Sequence, residues 1–301
     1  MASKNVAVGI NAYMNKVFET VGIDYIIYQD TDSAYLNMKP LVDKMGITDP
    51  KAGVNACLKF TEKFLQPEVQ RVCEVLCAKL NAFEPVISMK LEKICEQGFF
   101  VGKKRYALNV TYDEGIFNNP SKLKVVGLEP VRSGCPQVCR DAMRDVYKLI
   151  FAKDQQGIID YIEAFEKKFR TLPFEKIGTP TGCNGLKKYS DADLYYKSKT
   201  PIYVKGSMFF NTLLINMGLD KKYERIYDGD KIKYCYLIPE NPTRQDVISI
   251  KGDAPKEFDI EKYIDYDHMW AKNFMKPIQA VLDVVKLQSK VVGNLNSIFG
   301  V

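Results

Sequence analysis

The chain has 301 residues, 46% of them hydrophobic, with 43 basic against 37 acidic side chains and a formal charge of +6. That composition excludes a disordered chain and leaves room for one large or two ordinary domains. The mild positive balance permits a polyanionic partner without requiring one. No apolar run approaches the roughly 20 residues of a membrane span, and Met1-Ala2-Ser3-Lys4-Asn5 carries no signal-peptide core. A soluble, intracellular protein is expected.

Val6, Ile10, Tyr13, Val17 and Phe18 recur at helical spacing, so Val6 to Val21 reads as a helix that Gly22 stops. Tyr25 to Tyr28 and Ala34 to Leu36 then read as two strands around a tight turn. Val54 to Leu80 is a long helical pattern interrupted near Pro67, with Leu58, Phe64, Val72, Val75 and Leu76 as its expected core. Val86 to Ile94 and Phe99 to Val110 read as strands, and Asn118-Asn119-Pro120-Ser121 as a turn. The texture changes near residue 128. A helix opens at Pro136 and runs to about Ala152. Gly157 to Arg170 is another, with Ile158, Ile162, Phe165 and Phe169 on one side. Leu172 to Thr200 reads as loop, 201 to 217 as helix, Lys231 to Ile238 as strand and Met275 to Leu287 as a last helix. The expected class is α+β: a mixed sheet with helices first, then a mostly helical second part.

The eight cysteines, at 57, 73, 77, 95, 135, 139, 183 and 235, form no Cys-x-x-Cys pair. Cys73/Cys77 and Cys135/Cys139 share helix faces, but the only histidine, His268, is remote from both. Reduced thiols in helix cores fit this pattern better than a zinc site. A single histidine also argues against histidine-based nucleophilic chemistry.

The chemistry-bearing stretch is Tyr28-Gln29-Asp30-Thr31-Asp32-Ser33. An Asp-x-Asp at a hairpin tip sets two carboxylates side by side. A divalent cation is the simplest way to keep both ionised. Oxygen ligands completed by water and phosphate suit Mg²⁺, and two such ions roughly 4 Å apart can clamp an in-line phosphoryl displacement. Two bland or rival readings stand beside this one. Asp and Thr are ordinary turn residues, and glycosyltransferases also use Asp-x-Asp, for a metal-bound sugar nucleotide.

Gly102-Lys103-Lys104-Arg105-Tyr106-Ala107-Leu108 is the second motif. Alone it reads as a surface charge run; after an acidic hairpin, three cations and an aromatic suggest phosphates and minor-groove edges. Taken in this order, the two motifs resemble family B DNA polymerases of the T4-like bacteriophage type. Met89-Lys90-Leu91-Glu92-Lys93 looks like the palm strand before the second motif. Val126-Gly127-Leu128-Glu129-Pro130-Val131-Arg132-Ser133 looks like the palm-to-thumb crossing. Pro201-Ile202-Tyr203-Val204-Lys205-Gly206 and the ending from Leu295 to Val301 also look phage-like. One departure is Gln29, where the family usually has glycine.

The resemblance implies that residues 1–128 finish a palm, 129–294 form a thumb and 295–301 make a sliding-clamp tail using Leu295, Ile298 and Phe299. It implies Mg²⁺ on Asp32 and Asp30, in a two-metal site shared with an aspartate that this chain lacks. Glu92 is either a neighbouring carboxylate or a strand-surface one. Primer-template DNA would meet Tyr28, Thr31, Lys103, Lys104, Arg105 and Tyr106. Lys187, Lys188, Lys205 and Lys286 are thumb candidates for duplex phosphates, or else solvated lysines. The exonuclease, the first palm motif and the dNTP-gripping fingers would come from an N-terminal partner chain, as in split phage polymerases. An exposed apolar surface is expected where they would pack, and the cytoplasm of an infected host is the expected location. The rival to a split polymerase is a non-catalytic DNA-gripping and clamp-tethering module.

Overall fold

The computed structural model describes residues 2–30, 32–84, 86–191 and 195–286, with the side chains at 2, 3, 191, 195 and 196 left out of the description. The fold is α+β and divides into two compact units. Met1–Gly98 and Leu108–Lys124 form the first; Phe99–Ala107 and Val125–Val301 form the second.

The first unit opens with α1 (Ala2–Phe18), the hairpin β1 (Ile26–Gln29) and β2 (Ala34–Leu36), then α2 (Lys39–Lys44), α3 (Pro50–Phe60) and α4 (Gln66–Lys79). Val6, Ile10 and Met14, four residues apart on one face of α1, are buried with Tyr25, Leu65, Val69 and Cys73. Asparagines on α1 fix the chain that enters the hairpin. Asn11 Oδ1 accepts from Tyr25 N–H at 2.9 Å, and Asn15 Oδ1 accepts from Ile23 N–H at 3.0 Å.

The break expected near Pro67 is a π-helical turn, Thr61–Leu65, between α3 and α4. It corrects the expected core. Leu76 is buried, but Phe64 is 47% and Val75 42% exposed, while Leu65, Val69 and Cys73 take the inner face. A π turn holds one residue more than an α turn, so counting by 3.6 across it lands on the wrong side.

Three strands follow, β3 (Lys93–Gly102), β4 (Arg105–Asp113) and β5 (Ile116–Val126), in the order β3-β4-β5, and each has residues in both units. Residues 86–92 are irregular, so the first strand starts later than its apolar run suggests. The stretch from Phe99 to Val110 is two strands, split at Lys103–Lys104. The turn expected at Asn118-Asn119-Pro120-Ser121 lies inside β5. Buried Asn118 donates to the Val110 carbonyl at 3.2 Å, and β5 is an edge strand, where proline's missing N–H breaks no ladder.

The second unit contains α5 (Gln137–Ala152), α6 (Gln155–Phe169), α7 (Phe174–Ile177), β6 (Thr179–Gly182), α8 (Leu186–Tyr189), β7 (Ser190–Asp191), β8 (Tyr195–Tyr196) and α9 (Ile202–Asn216). It continues with β9 (Lys231–Tyr236), β10 (Val247–Ile250), α10 (Tyr266–Trp270), a π turn at Ala271–Met275 and α11 (Lys276–Val285). The expected loop from 172 to 200 therefore holds short helices and strands. β9 pairs antiparallel with both β6 and β10. Ile158, Ile162, Phe165 and Phe169 are buried, as their spacing predicts, and Phe165 lies 4.8 Å from Phe274. No helix among the described residues is long and apolar enough to cross a membrane.

All eight cysteines are free thiols. Burial pushes the Cys135 thiol up to about 12 and Cys95 to about 11, with Cys139 and Cys235 raised further. Since the thiolate is the nucleophile, iodoacetamide at pH 8 should label Cys139 and Cys235 only after denaturation. Rapid labelling of either in the folded chain, read by peptide mass, would refute this. Burial also links the thiols to folding. Their contribution is intact below the ordinary thiol value of 9.0 and is lost as pH rises from there towards the folded value of about 12 at Cys135.

Candidate active-site hairpin and cationic turn

In the first unit, Tyr28 pairs with Tyr35 and Gln29 with Ala34. Asp30, Asp32 and Ser33 are the described residues between the strands, and the Asp30 N–H donates to the Ser33 carbonyl at 3.0 Å. Asp30 is half-buried and Asp32 exposed. Behind the loop the rings of Tyr28 and Tyr35 lie 5.5 Å apart, a cross-strand aromatic pair that stiffens its base. Gln29, the departure from glycine, stands in register with Ala34. Side chains directly opposite lie about 5 Å apart, so a small alanine there leaves room for glutamine. Thr31 lies outside the described residues.

The donor set suits part of a Mg²⁺ site, which takes one or two carboxylates and fills the remainder with water and phosphate. Among the described residues no three of His, Cys, Asp and Glu gather into a metal-holding group. Glu92 therefore does not join Asp30 and Asp32 in one. It is exposed, and its carbonyl accepts from the Glu114 N–H at 2.7 Å.

The cationic turn belongs to the second unit. Lys103 and Lys104 form the turn between β3 and β4, both exposed, and Lys104 takes a left-handed φ of 58°. Arg105 reaches towards an acid while its side chain stays 37% exposed: its Nη2 lies 3.5 Å from Glu129 Oε1, and Arg132 Nη1 lies 3.6 Å from the same oxygen. Tyr106 is buried, its ring 5.3 Å from Phe100. Gly127 passes directly under the turn. A Cβ on it would sit 1.9 Å from the Lys104 carbonyl oxygen.

Lys187 and Lys188 are exposed on α8, with the Lys188 ammonium 5.1 Å from the Tyr189 ring centre. Lys205 is half-buried on α9, and Lys286 is exposed where α11 ends. Leu295, Ile298 and Phe299 lie outside the described residues. The fold thus brings Asp30 and Asp32 onto one loop and residues 103 to 106 into one hairpin. Sequence reasoning missed Gly127 and Glu129 as partners of that hairpin. The only signal was a glycine and an acid just after a strand, some 20 residues from the cations that they touch.

No family model matches the chain. Over 97% of its length it is 28% identical to the DNA-directed DNA polymerase of Enterobacteria phage T4, covering 34% of that protein. It is also 28% identical, over 96% of its length, to the DNA-directed DNA polymerase of Escherichia phage RB69, covering 33% of that protein. The likeness to T4-type phage polymerases carried by the two motifs thus extends along nearly the whole chain. The chain spans about a third of the length of these relatives.

Proposed function

We propose that this chain is the C-terminal palm and thumb part of a family B DNA-directed DNA polymerase. Residues 1–128 finish the palm, 129–294 form the thumb and 295–301 serve as a clamp-binding tail. The observation that carries this reading is the end-to-end similarity to two phage polymerases. The strand-flanked Asp-x-Asp loop adds support. Asp32 and Asp30 hold Mg²⁺, which when bound supplies Lewis-acid polarisation for nucleotidyl transfer. The chain's own part is to present these two carboxylates on a loop braced by Tyr28 and Tyr35, and to hold the primer-template duplex.

Lys104 and Tyr106 work at the terminal base pair and its backbone, where the minor groove offers acceptors common to every pair. Lys103, Lys187, Lys188, Lys205 and Lys286 meet phosphates, while Arg105 holds the turn in place. The exonuclease, the first palm aspartate and the dNTP-gripping fingers come from a second chain. Apolar side chains left in water on the first unit, among them Val21, Phe83 and Val86, support a large partner surface.

The test is primer extension with Mg²⁺ and dNTPs, using this chain, a candidate N-terminal chain, and both together. Activity only in the mixture bears the reading out. Duplex binding without extension in any mixture would favour the DNA-gripping and clamp-tethering module. The mixture also tests the lysines. Lys104→Ala should weaken duplex binding about threefold to tenfold and lower the salt slope by about one, since one phosphate-side cation is lost. An unchanged slope would remove Lys104 from the interface.

A further inference from the structure

We infer that Glu129 is a positioning residue for the cationic turn, acting through Arg105; its consequence for DNA rests on the function proposed above. Two contacts from one short segment converge on the turn. Gly127 lies against the Lys104 carbonyl, leaving no space for a Cβ. Two residues later Glu129 faces Arg105, the first residue of β4.

The Glu129 side chain is 19% exposed, and its Oε2 is buried without a hydrogen-bond partner among the described residues, as is Arg105 Nε. These two charges therefore depend on each other for compensation. Removing Glu129 leaves the buried Arg105 Nε facing no acid, while removing Arg105 leaves Glu129 only the more exposed Arg132. Arg132, more exposed, shares the same Glu129 oxygen and cannot replace Arg105 at the turn.

The segment is itself anchored. Residues Glu129–Val131 form a single 3-10 turn, and Arg144 on α5 donates to the Pro130 carbonyl at 3.0 Å. On the same helix, Tyr147 is fully buried with its ring edge-on to Phe99 of β3 at 5.2 Å. Its hydroxyl has no hydrogen-bond partner among the described residues. Burial chiefly raises its pKa; the Glu129 charge adds to that and the Arg105 charge opposes it. α5 thus holds the 3-10 turn, the 3-10 turn holds Arg105, and Arg105 sets where Lys104 and Tyr106 stand.

Two measurements test this. The first is hydrogen exchange on the full chain without DNA, read by mass over the peptide spanning residues 100 to 107. Glu129→Gln should speed exchange there about tenfold by easing local opening, with Glu129→Asp restoring part of the protection. Glu166→Gln, which loses a different ion pair with Arg170, should leave that peptide unchanged. Equal exchange in Glu129→Gln and the parent would overturn the proposal.

The second is a double-mutant cycle in duplex binding. Glu129→Gln should weaken binding about fivefold when Lys104 is present and less than about twofold when it is alanine, the non-additivity of residues that act together. Additive losses would show that Glu129 does not act through the turn, and would overturn the proposal. If no variant binds duplex, the DNA-binding function falls, while the exchange result still decides whether Glu129 holds the turn.

Discussion

Asp32→Asn should abolish primer extension by the complemented assembly, lowering the rate about a thousandfold or more. The change keeps size and shape and removes one negative charge. Charge stabilisation by a bound metal is worth several kcal/mol, and each ~1.4 kcal/mol is a factor of ten in rate. Because Asp32 is exposed at the loop, folding should barely notice: surface changes of this kind usually stay within about 0.5 kcal/mol. Duplex affinity should also hold within about twofold, because the phosphates are gripped by cations elsewhere. The measurement is single-turnover extension beside a thermal melt and a binding titration. Extension that survives Asp32→Asn would remove the acidic loop from the chemistry. Loss of extension with an equal loss of fold would make the loop structural.

Gly127→Ala carries the second large effect, on folding and on the grip together. Gly127 has a φ of 63°, a left-handed conformation. That alone disfavours an L side chain by roughly 1–2 kcal/mol. Steric overlap costs more, since the added Cβ would meet the Lys104 carbonyl oxygen at 1.9 Å and its carbon at 3.1 Å. Both are backbone atoms, so no rotamer change can relieve the contact. We expect a total loss of about 3 kcal/mol or more, a fall in Tm of about 6–12 °C for a domain of this size, and displacement of the Lys103–Lys104 turn. Gly218→Ala is the comparison. Gly218 also has a left-handed φ, 68°, but nothing lies within 4 Å of its Cβ position. It should lose only the conformational part, about 1 kcal/mol, with duplex binding intact. Equal effects at the two glycines would mean that the close approach at Gly127 does not matter.

The acidic hairpin was legible because everything that makes it is local. Two short apolar strands flank a polar loop, and register alone puts Tyr28 opposite Tyr35. The Ile158, Ile162, Phe165 and Phe169 face was legible for the same reason, a period unbroken along one helix. What failed was non-local or phase-breaking. A helical count that runs through the π turn puts Phe64 and Val75 in the core, where the fold does not. Asn118-Asn119-Pro120 has turn composition, yet a buried asparagine amide and a place at the sheet edge keep it in a strand. β10 offers only Val-Ile-Ser-Ile, all four buried, and four apolar-rich residues carry no period to read. At the site, Arg105 was visible as a cation, but its partner Glu129 was not. An acid beside a proline has no local signature of the charge that it will meet across the fold.

The two π turns share a further property. In each, the next backbone N–H reaches five residues back, Gln66 to Thr61 and Lys276 to Ala271. Each has a proline two residues past its end, Pro67 and Pro277, in the first turn of the continuing helix. A proline inside an unbroken α-helix would lose a ladder bond and press on the carbonyl four residues before it. A ladder already widened at that point accommodates both. In alignment terms, each helix changes phase by one residue just before its proline. A gap-free comparison with a relative whose helix is regular would match inward-facing positions with outward-facing ones on one side of the turn. Correspondences drawn along α4 or α11 should be anchored separately before and after residues 61–65 and 271–275.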